Sequence, residues 1–389
     1  MNIDRDIWLK QKKFIIFGAG MFGKYLIDSY GHYNIFFAFI DNNIEKQNTL
    51  YMNYPVFSFE KYLKEYREYK IILACSNENQ TILQNQMVNA GLIPQKDFIY
   101  IKHFINKILK YYLFENFTEV RIDVAQICVT ERCTLKCKKC AHGCYNVPNN
   151  TPDLSLIEVQ KSADNFFPKI NYVNQFHLIG GEPFLYKNLK NAIIYIGDRY
   201  RNKMQNFRIT TNGTITPSKD IINTIKNYNM SIIISDYSNT LPQLKSQYER
   251  LTQIFKTYDI CYYINDADTW WTDYGFDHVD RGFFKDNINK QEKIEELKKV
   301  FSDCKTPCRE IRGNKLYFCV QARTCNDNLH FNVGADDYLD LSKLGNDYES
   351  KKIIFDLEMG NIPKGYLDMC NYCNGNDRFK FPIHAAEQI

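Results

Sequence analysis

Thirteen cysteines are spread unevenly over the 389 residues of this chain, and their spacing is the first pointer to chemistry. Clustered cysteines in a chain with no sign of secretion bind metal or react more often than they form disulfides. One group shares a single short segment and consists of Cys128, Cys133, Cys137, Cys140 and Cys144. A second group lies in the last quarter and consists of Cys304, Cys308, Cys319, Cys325, Cys370 and Cys373. The remaining two, Cys75 and Cys261, are predicted to be small buried thiols.

Cys133, Cys137 and Cys140 have the spacing CX3CX2C. Three thiolates on one tight loop can hold three irons of a [4Fe-4S] cubane and leave the fourth iron open, whereas most electron-transfer clusters use four cysteines. An open iron can chelate a substrate, as an open zinc position does. The alternative interpretation of these residues is a zinc site completed by His142. Cys128 and Cys144, which flank the three, are interpreted as structural.

Three further motifs follow along the chain, each at the predicted end of a strand. Gly180-Gly181-Glu182-Pro183 comes directly after a strand predicted over 175–179, and its two glycines would let the backbone approach a ligand closely. Thr210-Thr211-Asn212-Gly213 ends the next predicted strand, and Ser235 ends the one after that.

The cysteine triad followed by these motifs resembles the radical S-adenosylmethionine (SAM) superfamily. The resemblance implies that SAM binds the open iron, and that one electron cleaves it to methionine and a 5′-deoxyadenosyl radical, which removes a hydrogen atom from the substrate. The protein's task is then to orient the cofactor. The SAM-binding residues implied are Gly180, Gly181, Glu182, Pro183, Asn212 and Ser235, with Glu182 accepting from the SAM ammonium and Ser235 near the ribose. The chain departs from the family at Lys139, where an aromatic residue usually packs near adenine, so adenine needs another partner here.

The cysteines of the last quarter resemble the twitch extension, a shortened form of the SPASM extension of radical SAM enzymes. A predicted hairpin with its turn at Gly313-Asn314 carries cysteines at both ends, and a CX2C pair follows. The resemblance implies one auxiliary [4Fe-4S] cluster, because the extra cysteine run of the two-cluster SPASM form is missing. The candidate ligands are Cys304, Cys308, Cys319, Cys370 and Cys373, with the choice between Cys304 and Cys308 open. Cys325 is predicted to stay free, and the alternatives are a structural zinc or unligated thiols.

A glycine loop near the start of the chain, Gly18-X-Gly20-X-X-Gly23, follows a predicted strand and opens a helix, and Asp41 ends the next strand. This pattern satisfies the dinucleotide-binding fingerprint, with pyrophosphate at the helix N-terminus and the acid on a ribose hydroxyl. The FGAG start and the segment Phe39-Ile40-Asp41-Asn42-Asn43 resemble a small Rossmann-like module often fused to sugar- and polysaccharide-modifying enzymes. The resemblance implies a nucleotide or nucleotide-sugar ligand, and a structural or docking role is the alternative.

Two adjacent tryptophans, Trp270 and Trp271, are candidates for the wall of a substrate pocket, with plain packing as the alternative. They precede Asp273, Tyr274 and Asp277.

The elements that must position these residues are alternating strands and helices, which predict parallel sheets with right-handed crossovers. Strands are predicted over 14–17, 35–40, 71–74 and 98–101, then over 122–129, 175–179, 207–211, 231–235 and 260–264. Residues 102–118 are predicted to be a connecting helix or linker, and Ser155 with Glu158 to form a capping box. The predicted fold class is α/β: a partial (β/α)6 radical SAM barrel, with chemistry at the strand C-termini, an N-terminal small Rossmann-like domain and a C-terminal twitch/SPASM-like extension. The predicted domains are 1–105, 119–300 and 301–389.

The bulk composition is ordinary for a soluble protein, with 44% hydrophobic and 24% charged residues. The net charge of +4 gives no case for nucleic-acid binding. No apolar run reaches the ~18 residues of a membrane span, and the first residues lack an apolar signal region. We therefore expect a cytoplasmic protein with neither nucleic acid nor membrane as a partner.

Three functions follow as hypotheses. The first is a radical SAM enzyme that oxidises or epimerises a carbohydrate or nucleotide-linked small molecule, with an electron donor such as flavodoxin or ferredoxin. The second is a peptide- or protein-modifying radical SAM enzyme of the sulfatase-maturase or ribosomal-peptide-maturase type. The third, of another class, is a noncatalytic iron–sulfur or zinc binding protein. The residues do not name the substrate or choose between oxidation, epimerisation and rearrangement.

Overall fold

The computed structural model describes residues 4–148, 150–266, 270–275, 290–304, 306, 308–331, 334–376 and 379–389, so Asp277 lies outside the described residues. The chain forms two compact units, Met1–Glu119 and Val120–Ile389. The finer division into three domains, at residues 105, 119 and 300, stays a prediction.

The first unit is built on a six-stranded sheet whose strands are β1 Phe14–Phe17, β2 Phe36–Ile40, β3 Leu50–Tyr51, β4 Tyr54–Phe57, β5 Lys70–Leu73 and β6 Phe98–Tyr100. Its helices are α1 Arg5–Leu9, α2 Met21–Tyr30, α3 Phe59–Glu65, α4 Asn77–Asn89, α5 Ile101–His103 and α6 Lys110–Phe117, with a π-helical stretch over Phe104–Leu109. The strand order is β3-β4-β2-β1-β5-β6. All neighbours are parallel except β3, which pairs antiparallel with β4.

Burial explains why β1 forms at the centre of this sheet. All four of its residues are buried; Phe14 and Ile16 belong to one apolar cluster, and Ile15 and Phe17 to another on the opposite face. A parallel strand covered on both faces is expected to be apolar throughout.

The second unit is built on an eight-stranded sheet and a separate two-stranded one. Its strands are β7 Arg121–Thr130, β8 Tyr172–Gly180, β9 Met204–Thr211, β10 Ser231–Asp236, β11 Cys261–Asp266, β12 Trp270–Thr272, β13 Cys308–Arg312, β14 Lys315–Tyr317, β15 Tyr338–Asp340 and β16 Pro382–His384. Its helices are α7 Leu156–Phe166, α8 Leu189–Tyr200, α9 Lys219–Asn227, α10 Lys245–Thr257, α11 Lys290–Asp303, α12 Val320–Asp327 and α13 Tyr348–Met359.

The large sheet has the order β11-β10-β9-β8-β7-β13-β14-β15. Six neighbouring strands, from β11 to β13, are parallel, and β14 and β15 continue the sheet antiparallel. Within the described residues β11 and β15 are its two edges, so the sheet is open and no closed barrel forms. The α/β fold class with parallel sheets is therefore confirmed.

The predicted strands of both units are confirmed to within a few residues, as are the hairpin turned at Gly313 and the capping box of Ser155 and Glu158. The prediction of a buried Cys261 is wrong, because β11 is an edge strand and the Cys261 side chain is exposed; Cys75 is only half-buried. In the part of the chain that is described, no helix has both the length and the apolar character that crossing a membrane requires.

Candidate functional site

The sequence motifs of the second unit meet along one edge of its large sheet. The cysteine loop follows β7, Gly181-Glu182-Pro183 follows β8, Asn212 follows β9, and Ser235 lies near the end of β10. These strands are parallel neighbours, so their carboxyl ends share an edge, where open α/β sheets bind ligands.

Two of the three triad sulfurs are met by amide donors. The Sγ of Cys133 accepts from the Leu135 N–H and from Asn212 Nδ2, both at 3.4 Å. The Sγ of Cys137 accepts from Gln388 Nε2 at 3.2 Å. Burial raises the pKa of Cys133 to about 11 and that of Cys137 to about 12. Such thiols stay protonated until a metal replaces the proton, so binding is coupled to proton release.

Cys140 differs from the other two because Cys144 lies beside it. A hydrogen bond from Cys144 lowers the pKa of the Cys140 thiol and raises that of Cys144. Cys144, which the sequence marks only as structural, therefore touches the triad. Its spacing from Cys140 gives no family signal that would have identified this contact.

The three triad sulfurs do not all lie within 4.8 Å of one another. Sulfurs bound to one zinc at ≈ 2.3 Å lie about 4 Å apart. Among the described residues, the group of three donors that all lie within 4.8 Å of one another is Cys128, His142 and Glu310, not the triad. Three separated thiols on one loop fit a cluster whose corners are separate irons.

The two glycines of the GGEP motif are required by contact with the cysteine loop. The Gly181 N–H donates to the Thr130 carbonyl at 2.9 Å, and the Glu182 N–H donates to the Arg132 carbonyl at 2.8 Å. A Cβ on Gly180 would lie 2.4 Å from the Thr130 oxygen, and one on Gly181 2.3 Å from the Arg132 oxygen. The close approach expected of these glycines is thus made to protein backbone. Pro183 then opens a short 3-10 turn.

Glu182 is fully buried and joins the GGEP loop to the end of β9. Its carboxylate accepts from the Thr211 hydroxyl at 2.8 and 2.9 Å, and from the backbone N–H groups of Asn212 and Phe184, both at 3.0 Å. Burial outweighs these donors and raises the pKa of Glu182 to about 7.

Arg132, inside the cysteine loop, is a positioning residue that sequence reasoning missed. Its Nε and Nη2 donate to both oxygens of Asp153, at 2.8 and 2.7 Å, and Nη2 also donates to the Leu185 carbonyl at 2.8 Å. A bidentate Arg–carboxylate pair fixes geometry as well as adding energy, so it ties the loop to the turn after the GGEP motif. Nothing in the local spacing of Arg132 and Asp153 indicates the pair.

A cavity of about 370 Å³ opens beside Cys140. Its lining residues are Lys139, Cys140, Ala141, His142, Ser235, Tyr237, Asn265, Trp270, Trp271, Thr272 and Tyr274. Lys139 has a left-handed backbone (φ 55) and its Nζ lies 3.5 Å from Asp273 Oδ1. Ser235 forms a side-chain hydrogen bond with Tyr237. The predicted Ser235 and both tryptophans are therefore brought together with the triad.

Aromatic side chains form one wall of this cavity. The rings of Tyr237 and Trp271 meet edge to face with centroids 5.5 Å apart, and both pack against the buried apolar cluster that contains Cys137. Trp271 is held in place because β12 pairs antiparallel with β16.

The cysteines of the last quarter surround a second, small cavity in the same unit. Cys304, Cys319, Cys370 and Cys373 all line it, together with Tyr274, which also lines the first cavity. Backbone donors reach two of the sulfurs: Ala322 N–H to Cys319 at 3.4 Å and Gly375 N–H to Cys373 at 3.3 Å. Burial, and then the neighbouring thiols, raise the pKa of Cys319 and Cys370 well above the usual range. Four thiols around one space, three of them buried and that of Cys304 half-buried, have the composition that a four-cysteine cluster requires.

Cys308 is not among the residues that line this second cavity. It opens β13 and pairs with Val124 of β7. Burial is the main cause that raises the pKa of the Cys308 thiol to about 11, and the charged neighbours Arg309, Glu310 and Glu358 have smaller effects. The geometry therefore favours Cys304 over Cys308, a choice that spacing alone left open.

In the glycine loop of the first unit, close packing leaves no room for a side chain at Gly18 or Gly23, whereas Gly20 faces open space. A Cβ on Gly18 (φ 121) would lie 2.3 Å from the Ala74 carbonyl oxygen, and one on Gly23 2.3 Å from that of Gly18, whereas one on Gly20 would meet nothing within 4 Å. Asp41, expected on a ribose hydroxyl, instead accepts from the Ala19 N–H at 2.9 Å and pairs with Lys46 at 3.3 Å.

Comparison with known proteins agrees with the motifs of the second unit. Residues 127–237 match the family described as the Radical SAM superfamily. The GTP 3',8-cyclase of Ectopseudomonas mendocina (strain ymp) is 32% identical over 94 residues, which are 24% of this chain and 27% of that enzyme. The chain thus spans about a quarter of the curated relative it matches.

Solved structures of low similarity were also found. The structure of BtrN in complex with AdoMet and 2-DOIA is 14% identical with a TM-score of 0.37, and the match covers 70% of this chain and 98% of that one. A tagged form of anSMEcpe with bound AdoMet is 13% identical with a TM-score of 0.36, covering 66% and 89%.

The matched residues 127–237 begin in β7 and include the cysteine triad, Gly180-Gly181-Glu182-Pro183, Thr211-Asn212-Gly213 and Ser235. These are the segments that build the sheet edge described above. Members of this superfamily cleave SAM by a radical mechanism at a [4Fe-4S] cluster. Residues 127–237 therefore form a domain that matches the Radical SAM superfamily.

Proposed function

We propose that this chain oxidises a small molecule by radical SAM chemistry, with the cluster that binds SAM on Cys133, Cys137 and Cys140. The observation that carries the proposal is that Tyr274 is a shared wall between the triad-side cavity and the four-thiol cavity. When bound, the triad cluster supplies the electron that cleaves SAM to methionine and a 5′-deoxyadenosyl radical, and an auxiliary cluster supplies an acceptor for the electron released on substrate oxidation.

The protein's own residues would bind and orient SAM at the sheet edge. Glu182 and Asn212 hold the loop ends against the cysteine loop, and Ser235 faces the cavity beside Cys140. The aromatic partner of adenine that is missing at Lys139 is supplied by Trp271 and Tyr237, which line the same cavity as Cys140. These side chains also exclude water from the reacting atoms, which protects a radical from side reactions.

The proposed auxiliary cluster ligands are Cys304, Cys319, Cys370 and Cys373. Their enclosed position and the N–H donors to Cys319 and Cys373 support this set, because hydrogen bonds to cluster sulfurs and low solvent exposure tune iron–sulfur potentials. An enclosed second cluster next to the substrate cavity favours oxidation over a redox-neutral epimerisation.

The proposed substrate is a carbohydrate or a nucleotide-linked small molecule. A cavity of about 370 Å³ is near the lower end of the ≈ 300–1,000 Å³ range of small-molecule sites. Ser235 and Asn265 offer donors and acceptors for hydroxyl groups, and Lys139 offers a cation for a phosphate. A nucleotide or nucleotide sugar at the glycine loop of the first unit remains a prediction; the open space at Gly20 supports it, and the contacts of Asp41 oppose the ribose role expected of that residue.

The test uses anaerobically reconstituted protein with SAM and dithionite, followed by mass spectrometry. We expect 5′-deoxyadenosine from wild type and none from Cys137→Ala. The matched control is Cys261→Ala, which removes an exposed thiol on edge strand β11 and should keep the activity. With a panel of sugars and nucleotide sugars, the product should weigh two hydrogen atoms less than its substrate. A product of unchanged mass would refute oxidation, and absence of 5′-deoxyadenosine from iron-loaded wild type would refute the enzyme proposal.

A further inference from the structure

The cysteine loop is covered by a short segment, residues 385–389, that reaches it from far along the chain. The Lys138 N–H donates to the Glu387 carbonyl at 2.6 Å, and the Ile389 N–H donates to the Lys136 carbonyl at 2.9 Å. These bonds enclose an antiparallel bridge between Cys137 and Gln388. Ala386 is fully buried and packs with Cys137. The middle cysteine of the triad therefore sits in a two-stranded arrangement with this covering segment.

The side chain of Gln388 donates directly to the middle triad sulfur. Its Nε2 lies 3.2 Å from Cys137 Sγ and 2.7 Å from the Ala386 carbonyl oxygen, and its Oε1 accepts from the Lys136 N–H at 2.7 Å. A flipped amide would oppose carbonyl to carbonyl and N–H to N–H. The two backbone partners thus fix the orientation, and an N–H must point at Cys137.

We propose that Gln388 is a positioning residue for Cys137. Through its N–H donor to the Cys137 sulfur, Gln388 raises the reduction potential of the SAM-binding cluster and slows the loss of its iron. The inference rests on the proposed assignment of the triad as cluster ligands. Hydrogen bonds to cluster sulfurs set iron–sulfur potentials, and partners that orient ligands strengthen metal binding. A donor to the sulfur stabilises the more negative, reduced cluster, so its removal makes the potential more negative.

Two substitutions separate the donor from the rest of the segment. Gln388→Leu removes the donor and the acceptor. Gln388→Glu keeps an acceptor for the Lys136 N–H but sets a carboxylate against the sulfur. The matched control is Glu387→Gln: the Glu387 side chain pairs with Lys138, and the two are 41% and 46% exposed, so the backbone pairing with the loop should survive.

The experiment measures the full-length, reconstituted protein by redox titration with electron paramagnetic resonance, using the signal that SAM perturbs to identify the triad cluster. Iron release to a chelator is the second readout. We expect a more negative midpoint for Gln388→Leu, a still more negative one for Gln388→Glu, and about tenfold faster iron release for both, as for the loss of one charge-assisted hydrogen bond. Glu387→Gln should match wild type.

The inference is overturned if both Gln388 variants titrate and release iron like wild type, or if Glu387→Gln shifts as far as they do. Should wild type itself show no SAM-perturbed signal, the proposed function fails along with the inference. A wild-type signal that the Gln388 variants share unchanged refutes the inference alone.

Discussion

Replacing Arg323 by Met should strongly destabilise the second unit. The guanidinium is fully buried, with Nη1 2.7 Å from Glu131 Oε1 and Nε 3.3 Å from Glu310 Oε1, the latter an ion pair without hydrogen-bond geometry. Met keeps much of the volume but removes the nearest cation from two buried carboxylates. Removing one partner of a buried pair costs about 3–5 kcal/mol. At about 2–4 °C per kcal/mol, we expect the midpoint of thermal unfolding to fall by roughly 6–20 °C.

The loss of stability in Arg323→Met, relative to wild type, should also depend on pH. In Glu131 burial is the largest effect and opposes ionisation, but Arg323 together with Asn328, Arg312 and His142 outweighs it and lowers the pKa. In Glu310 burial dominates and raises the pKa to about 7 even with Arg323 present. Without Arg323 both folded-state pKa values should lie above those of the unfolded chain. An acid of this kind makes the folded protein less stable as the pH rises through the folded-state pKa. The difference in unfolding midpoint between variant and wild type should therefore widen from pH 6 to pH 8.

The assay is differential scanning calorimetry at both pH values on protein of matched iron content. The control is Arg312→Met, which removes a cation 3.7 Å from the same Glu131 oxygen but 32% exposed. Exposed pairs contribute at most about 1 kcal/mol, so this variant should change the midpoint by less than about 4 °C. Equal shifts for the two variants, or a gap for Arg323→Met that does not widen with pH, would refute the reasoning.

Cys304→Ala should cost the reconstituted protein about four irons and Cys308→Ala none, measured by iron assay; equal losses would contradict the ligand set. Glu182→Ala should weaken SAM binding by ~1–3 kcal/mol, because the Thr211 hydroxyl and the Asn212 N–H lose their buried acceptor and the sheet edge loosens, measured by equilibrium dialysis; unchanged affinity would count against the GGEP assignment. Gly20→Val should leave unfolding unchanged, because a Cβ there meets nothing within 4 Å and the backbone is extended, yet abolish calorimetric binding of nucleotides or nucleotide sugars. Wild type that binds none of them at millimolar concentration would reject the nucleotide proposal.

Local pattern predicted the parts of the structure that depend on local burial. Phe14–Phe17 and residues 71–74 were predicted as buried strands because parallel strands covered on both faces are apolar throughout. The short hairpin of β3 and β4 was not predicted, because β3 has only two residues. Its turn, Met52-Asn53, has positive φ at both residues, and methionine is not a residue that turn patterns favour.

The contacts that complete the site could not be read from spacing, because they join residues far apart in sequence. Gln388 and Cys137 are 251 positions apart, and Arg323 and Glu131 are 192 apart. The choice of Cys304 over Cys308 depends on where β13 begins, because Cys308 is committed to pairing with β7. The fingerprint ending in Asp41 is likewise present in the residues, but its carboxylate is taken up by the glycine loop and Lys46.

Cys133, Cys137 and Cys140 are proposed to hold a [4Fe-4S] cluster separate from that of the later cysteines. The most direct test of this assignment is the iron content of wild type and of the triple Cys→Ala variant at these positions, after identical anaerobic reconstitution. We expect about eight irons in wild type, as two cubanes of four, and about four in the variant. A triple variant that retained all of its iron would contradict the assignment.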